Sequence, residues 1–430
     1  MNRRKRNIWT GLIAAGLFAA AVIFVPTLLH GNDNRPGPRP GQLVVHEWGT
    51  FTSFAGSNGV NLEFRPLVTN DLPRFVKRPW SELSKDQYIA LQRMETPVTY
   101  FYTDVPRVVN VRVDFPQGSL TEWYPQVKQF DPGQQTAERP LGGAFLDWGA
   151  VRLTPPEQFA KIRLRDAKGQ AVPASFPPVT ANDHYGHARE TDSAIVETVD
   201  GNRGSHFEKF LFYRGVGNFE LPIKLVALGN DRFEVTNSAE EATGALILVR
   251  IENDRVRFAR LQPIRPRAAI EINLPTTEST VERLAEATVR ELTAAGLYEK
   301  EALSMVNTWR TSWFGESGTR LLYLVPENQT EKLLPLSIEP SPDERVRILV
   351  GRLETLTPED GQRLTRTLIG NGALEKPSPD AVKAELATLG RFAEPALQFM
   401  IGQTSDPPTR GRLETILADL RAPATYVWPH

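Results

Sequence analysis

One pattern repeats from Leu43 to about Pro275: short runs of β-branched and aromatic residues, each closed by Gly, Pro, Asn or Asp. Examples are "VTYFYTD", "VNVRVDFP", "FEKFLFYRG" and "GALILVRIEND". Runs of this length and spacing predict antiparallel strands, arranged as a sandwich rather than a barrel. We therefore predict a β-rich, antiparallel sandwich-like region over residues 43–275. It forms either one domain or two sub-domains divided between Pro125 and Gly143.

Residues 276–356 predict a mixed α+β segment that contains a helical hairpin. Ser279 and Glu282 have the spacing of a capping box, and the helix that follows ends at Gly296. A second helix places a largely aromatic stripe on one face, namely Tyr298, Ala302, Met305, Val306, Trp309 and Trp313. An aromatic stripe of this kind is more typical of a core than of a binding pocket. We predict that the hairpin packs against the sheet, with strands in "TRLLYLVP" and "RVRILVGRLE".

Residues 357–430 predict a small all-α tail. Thr357 is a suitable helix cap, Pro358 suits the first helical position, and the helical pattern continues to near Arg421. The stretch from Val382 to Arg421 resembles a HEAT-type helical repeat, through its "LGRFAEPAL" turn and the leucine-spaced helix after it. A single repeat has no stacked neighbour, so we expect this one to cap the preceding domain and to provide at most a protein contact.

The amino-terminal residues predict a membrane anchor. Four basic residues at positions 3–6 precede an uncharged, mainly apolar run from Ile8 to Leu29, which is long enough to cross about 30 Å of hydrocarbon as a helix. The only small-x-small cleavage site lies inside this run, which favours an uncleaved anchor over a cleaved signal peptide. Residues 1–30 comprise the basic tip and the anchor. The positive-inside rule predicts that their amino terminus lies in the cytoplasm. Residues 31–42 form a Pro/Gly linker, and the bulk of the chain is then periplasmic or extracellular.

Composition excludes several function classes. The net charge of −1 gives no field to attract polyanions, so we expect no nucleic-acid partner. The chain has no cysteine, which excludes thiol nucleophiles, iron–sulfur ligation and cysteine-containing zinc sites. The sequence also lacks the G-x-S-x-G, S-x-x-K, G-x-G-x-x-G and P-loop patterns of common catalytic and nucleotide sites.

The segment "LVVHEWGTFTSF" contains the first half of an HExxH zinc motif. The second histidine is replaced by Thr50, and Gly49 with its β-branched and aromatic neighbours favours a strand. Side chains alternate between faces along a strand, so His46 and Glu47 would point in opposite directions. We therefore predict that this segment is a strand and that it is not a metalloprotease site.

A richer set of potential metal ligands lies in "NDHYGHARETD" and "SHFEKFLFYRG". His184, His187 and His206 are the candidate metal ligands, for zinc, manganese or iron, and Glu190 and Glu208 are the candidate catalytic bases. If the first stretch is a loop and the second a strand, His206 and Glu208 share a strand face that could meet the loop histidines. The alternative is that these residues lie at the rim of the sheet, hydrogen-bonded or solvated. We call these five residues the histidine–carboxylate cluster.

Four segments together resemble a group of uncharacterised exported bacterial proteins: "VHEWGTFTS", "RMETPVTYFY", "HFEKFLFYRGVG" and "TWRTSWFGESGTRLLYLVP". The resemblance covers most of residues 43–360. It implies a bacterial, exported setting and no particular activity.

Three hypotheses follow from the sequence. The first is a membrane-anchored, non-catalytic binding or scaffolding protein of the cell envelope, with a protein or glycan partner. The second is a metal-dependent hydrolase that uses the histidine–carboxylate cluster. The third is a structural component of an envelope complex, with the helical tail as its docking surface.

Overall fold

A computed structural model describes residues 38–64, 72–78, 89–133, 141–166, 168–180, 184–200, 204–370 and 377–421. The predicted membrane anchor, residues 8–29, and most of the predicted linker lie outside these ranges. Within them, no helix is both long and apolar enough to span a membrane. The described residues belong to one compact unit.

The described chain is mainly β with a helical C-terminal part, which confirms that coarse prediction. The strands are β1 Val44–Ala55, β2 Asn61–Leu62, β3 Gln92–Tyr102, β4 Arg107–Phe115, β5 Gly118–Tyr124, β6 Gln129–Asp131, β7 Ala144–Thr154, β8 Arg163–Arg165, β9 Ala171–Pro173, β10 Ile195–Asp200, β11 Gly204–Glu208, β12 Leu211–Gly217, β13 Ile223–Gly229, β14 Arg232–Asn237, β15 Leu246–Glu252, β16 Arg255–Leu261, β17 Ala268–Asn273, β18 Gly318–Leu324, β19 Leu336–Glu339 and β20 Glu344–Thr355. The helices are α1 Pro156–Phe159, α2 His184–His187, α3 Val281–Ala294, α4 Glu299–Phe314, α5 Glu327–Leu333, α6 Pro358–Ile369, α7 Pro379–Leu389, α8 Ala393–Gln403 and α9 Pro407–Arg421.

A nine-stranded sheet organises the molecule. Its order is β16-β15-β18-β20-β1-β3-β12-β5, and β2 pairs with β1. A six-stranded sheet has the order β11-β10-β7-β4-β19, with β6 on β7, and a third sheet has the order β13-β14-β17. One apolar core cluster contains residues of β1, β4, β7, β14 and β18, so it joins these three sheets.

The described strand pairs within residues 43–275 are antiparallel, as predicted for that region. The pairing of β1 with β20, which joins that region to the next one, is different. These two strands are parallel, from Val44 opposite Glu344 to Ala55 opposite Thr355. Parallel strands require a crossover, and here the connection contains most of the chain. The predicted regions 43–275 and 276–356 therefore contribute strands to one sheet, since β18 and β20 belong to the second region.

The helices α3 and α4 pack on the other face of the nine-stranded sheet. The stripe predicted for α4 is buried at Ala302, Met305, Trp309 and Trp313, in a cluster that also contains Trp48 of β1. The predicted cap at Ser279 was wrong by one residue, because the Thr280 side chain accepts the backbone N–H of Arg283. The cap predicted for α6 is confirmed, since the Thr357 side chain accepts the N–H of Asp360.

Candidate functional site

The three candidate metal-ligating histidines contact three different partners. His184 lies on α2, and its Nδ1 is 2.9 Å from the carbonyl oxygen of Thr308 on α4. The Nδ1 of His187 is 3.1 Å from Glu190 Oε1, in a solvent-exposed pair. His206 lies on β11, with its ring centroid 6.0 Å from that of Tyr124. Over the ranges that the structure describes, no three His, Asp or Glu side chains are grouped so that they could hold a metal ion.

Glu208, the second candidate base, is buried and paired. The Arg189 guanidinium donates to it through Nε at 2.9 Å and Nη2 at 2.7 Å, and the Tyr185 hydroxyl lies 3.1 Å away. Burial raises the pKa of Glu208 above its usual range, against the opposing charge of Arg189. The guanidinium also lies 5.4 Å from the centroid of the Phe176 ring. These contacts attach the loop that precedes β10 to strand β11. They also engage the Glu208 carboxylate in an ion pair.

β1 carries two fully buried ionisable side chains, one on each face of the sheet. His46 is fully buried, and its Nδ1 is 2.7 Å from Glu301 Oε2 at the start of α4. The same carboxylate accepts the Tyr102 hydroxyl at 2.7 Å and the backbone N–H of Tyr298 at 2.8 Å. Burial, followed by the charge of Glu301, raises the pKa of Tyr102. His46 thus ties the central strand to the helical hairpin.

Glu47 points to the opposite face, as the strand prediction requires. Arg347 of β20 donates to its Oε2 through Nε at 2.8 Å and approaches it through Nη2 at 2.6 Å. Tyr213 and Thr99 donate their hydroxyls to Oε1 at 2.7 and 3.0 Å. Burial lowers the pKa of Arg347, but the charges of Glu47, Tyr213 and Glu331 together outweigh it, and the net direction is upward. This is a buried, hydrogen-bonded ion pair that joins β1 to β20.

Sequence reasoning missed Glu301 and Arg347. They lie 255 and 300 residues from their partners, so no local spacing connects them. The available signal was a histidine and a glutamate in a strand otherwise made of residues that pack into cores. Two ionisable residues buried on opposite faces of one strand each require a partner from another element.

The helical tail packs on the end of the nine-stranded sheet. Its core contains residues of α6, α8 and α9 together with Phe54 of β1 and Phe64, and the Phe54 and Phe392 rings stack at 5.3 Å. Arg391 reaches the sheet and donates to Glu95 Oε1 at 2.8 Å, beside Arg93 at 3.0 Å. Burial raises the pKa of Glu95, but Arg391 and Arg93 outweigh it and hold that pKa well below its usual range.

A groove of about 1420 Å³ opens between α7 and α9 of this tail. We call it the tail groove. Its apolar lining includes Ile369, Val382, Leu386, Ile416 and Leu420. Its charged lining consists of two basic and two acidic residues: Lys383, Arg412, Asp406 and Asp419.

Helix α7 forms one wall of the tail groove and has no buried residue, although Val382, Leu386 and Leu389 are partly covered. A wall of this kind has apolar surface left to bury. A smaller cleft of about 690 Å³, whose lining includes Val108, Arg152, Glu197 and Val199, lies on the outer face of the six-stranded sheet.

Comparisons with known proteins establish no family. No family model matches the chain, and no curated protein matches it. Among solved structures, the yeast delta-COP-I mu-homology domain in complex with a Dsl1 WxWxV peptide aligns over 74% of this chain and 98% of that chain, with 8% identity and a TM-score of 0.24. The yeast delta-COP-I mu-homology domain alone gives 9% identity and the same TM-score. A TM-score this low does not define a shared fold.

Proposed function

We propose that this chain is a non-catalytic binding or scaffolding protein of a bacterial cell envelope, and that it binds a protein partner in the tail groove. Residues 8–29 anchor it in the membrane, with the amino terminus in the cytoplasm and the part after residue 31 outside. The observation that carries the binding role is the apolar tail groove of about 1420 Å³, which no described segment fills.

The contacts of the other polar groups support a binding role for the groove. His46, Glu47 and Glu208 are each engaged by a partner that fixes one element on another. These contacts join elements of the fold to one another. The tail groove, by contrast, exposes apolar side chains on helices, which is the surface that receives a helical segment of a partner.

A photo-cross-linking residue at Leu386, in the full chain in cells, tests the groove. We expect a protein adduct at this position, and we expect a second substitution, Leu420→Arg, to abolish it by placing a charge in the apolar lining. The matched control carries the cross-linker at Val199, which is 62% exposed and lies on β10 of the six-stranded sheet, outside the tail. Equal adducts at both positions, or an adduct that Leu420→Arg leaves unchanged, would contradict the proposal.

The absence of cysteine gives a direct test of the membrane orientation. Val199→Cys and Asn2→Cys each introduce a single thiol into the chain. In spheroplasts, a membrane-impermeant maleimide should label the first variant and should label the second only after lysis. The reverse pattern, or labelling of both before lysis, would overturn the orientation.

No contact among the described residues favours the metal-dependent hydrolase over the binding role. Elemental mass spectrometry of the full chain, purified without chelator or affinity metal, decides between them. About one zinc, manganese or iron per chain, lost in His187→Ala, would make the histidine–carboxylate cluster a metal site and would require hydrolase assays.

A further inference from the structure

Helix α7 of the helical tail leaves apolar surface uncovered. In stacked helical repeats, each unit buries its apolar face against the next unit. Here α8 and α9 bury residues against the sheet and each other, whereas α7 contributes only partly covered ones. A second unit of the same kind would supply the matching surface.

The charges of the tail groove are suited to contact with a copy of itself. Two of the four charged lining residues are basic, Lys383 and Arg412, and two are acidic, Asp406 and Asp419. In a two-fold symmetric interface, every contact occurs twice. If one residue of the first copy contacts a second residue of the other copy, then the second residue of the first copy contacts the first residue of the other. A lining with equal numbers of both signs can therefore pair its charges across such an axis without net repulsion.

The tail groove can form only the centre of a stable dimer interface. Twenty residues line it, and the exposed faces of α7 and α9 around it must supply the rest of the roughly 800 Å² that a standard interface buries on each partner. Anchorage in a membrane would further raise the local concentration of copies and favour their pairing.

We propose that the occupant of the tail groove is the tail of a second copy of this chain, in a symmetric dimer. This inference rests on the proposed function, because it names the partner of the same groove. Helix α7 of each copy packs on α9 of the other copy. Val382, Leu386 and Leu420 are buried in this interface.

Charge-swap variants of the full chain test the dimer without requiring knowledge of which charges meet. One variant, Lys383→Glu with Arg412→Glu, makes the groove lining acidic. The other, Asp419→Lys, makes it basic and keeps Asp406, which caps the start of α9 through the Thr409 N–H. Light scattering in detergent, with the detergent mass subtracted, measures the oligomeric state of each variant and of their mixture.

We expect the unmodified chain to be a dimer and each swapped variant alone to dissociate, with a dissociation constant raised at least about tenfold by like charges. A 1:1 mixture of the two variants should restore the dimer. Val199→Glu, an exposed change outside the tail, should leave the dimer intact. Circular dichroism of each variant confirms that it is folded.

Three outcomes would overturn the inference. One is an unmodified chain that is monomeric over the whole concentration range. Another is a dimer that the charge swaps do not affect. The third is a monomer that dimerises only after removal of residues 422–430, which would assign the groove to the chain's own C-terminal segment. A Leu386 adduct that contains a different protein would also refute the dimer, while it would leave the proposed binding function standing.

Discussion

Strand β1 and helix α7 differ in how deeply they are buried and in where their contact partners lie along the sequence. All 12 residues of β1 are buried, and the charged partners of its His46 and Glu47 lie 255 and 300 residues away. No residue of α7 is buried, and its packing partners lie within the tail. The comparison teaches that the most distinctive segment of the sequence, "HEWGTFT", is buried and paired within the fold, while a helix of the HEAT-like stretch leaves apolar surface uncovered.

The largest expected effect comes from removing the buried ion pair between Glu47 of β1 and Arg347 of β20. Arg347→Ala leaves Glu47 buried without its cation, and we expect the free energy of unfolding to fall by about 3–5 kcal/mol. Urea unfolding followed by tryptophan fluorescence measures it. The matched control is Lys300→Ala, which removes an exposed ion pair with Asp192 and should cost about 0–1 kcal/mol. Equal losses in the two variants would show that the buried pair does not fasten β1 to β20.

Two leucine truncations compare a buried helix of the tail, α8, with the partly covered helix α7. Leu397 is fully buried on α8, so Leu397→Ala should destabilise the tail by about 2–5 kcal/mol through the cavity that it leaves. Leu386→Ala on α7 removes a partly covered side chain and should cost about 1 kcal/mol or less in the monomer. Hydrogen exchange of the tail helices compares the two variants. A larger loss for Leu386→Ala would mean that α7 is part of the tail core.

The hydrogen bond from Tyr102 to Glu301 tests the other face of β1. Tyr102→Phe removes a donor to a buried carboxylate, and we expect a loss of about 1.5–3 kcal/mol in unfolding free energy. A double-mutant cycle with Glu301→Gln should recover most of this loss as coupling. Additive losses would show that the hydroxyl stabilises the fold independently of Glu301.

The smallest effect at neutral pH concerns the attachment of the tail to the sheet. The pKa of Glu95 is lower in the folded chain than in the unfolded one, so its ion pairs contribute full stability above the unfolded pKa, near 4.5. That contribution is lost as the pH falls from about 4.5 through the folded pKa. We expect Arg391→Met to reduce this loss in tail stability, measured by thermal unfolding from pH 6 to pH 3. An unchanged pH dependence would exclude Glu95 and Arg391 as the acid-sensitive contact.

Local patterns predicted the elements well because they depend on neighbouring residues. The strand character of "HEWGTFT", the buried stripe of α4 and the Thr357 cap all follow from spacing of a few residues. The parallel pairing of β1 with β20 does not follow from any such spacing, because it joins residues 300 positions apart. The partners of His46 and Glu47 depend on that pairing and on the placement of α4, so they were also beyond local reasoning.

Proximity in sequence likewise did not bring the histidine–carboxylate cluster together. His184 and His187 belong to one short helix, yet one turns to α4 and the other to the solvent-exposed Glu190. Arg189 lies between His187 and Glu190 in sequence and pairs with the carboxylate of Glu208. A planar guanidinium with several donors pairs with a carboxylate more readily than an imidazole does. Arg189, which is not a metal ligand, therefore holds the Glu208 carboxylate away from the histidines.

The parallel pair at the centre of the large sheet sets an order of events during synthesis. β1 leaves the ribosome about 300 residues before β20, a delay of about 15–60 s at 5–20 residues per second. During this interval one edge of a long, apolar strand has no native partner. Unpaired apolar edges are where chains associate wrongly. The strand that holds the finished molecule together is therefore the one that most needs protection while the molecule is being made.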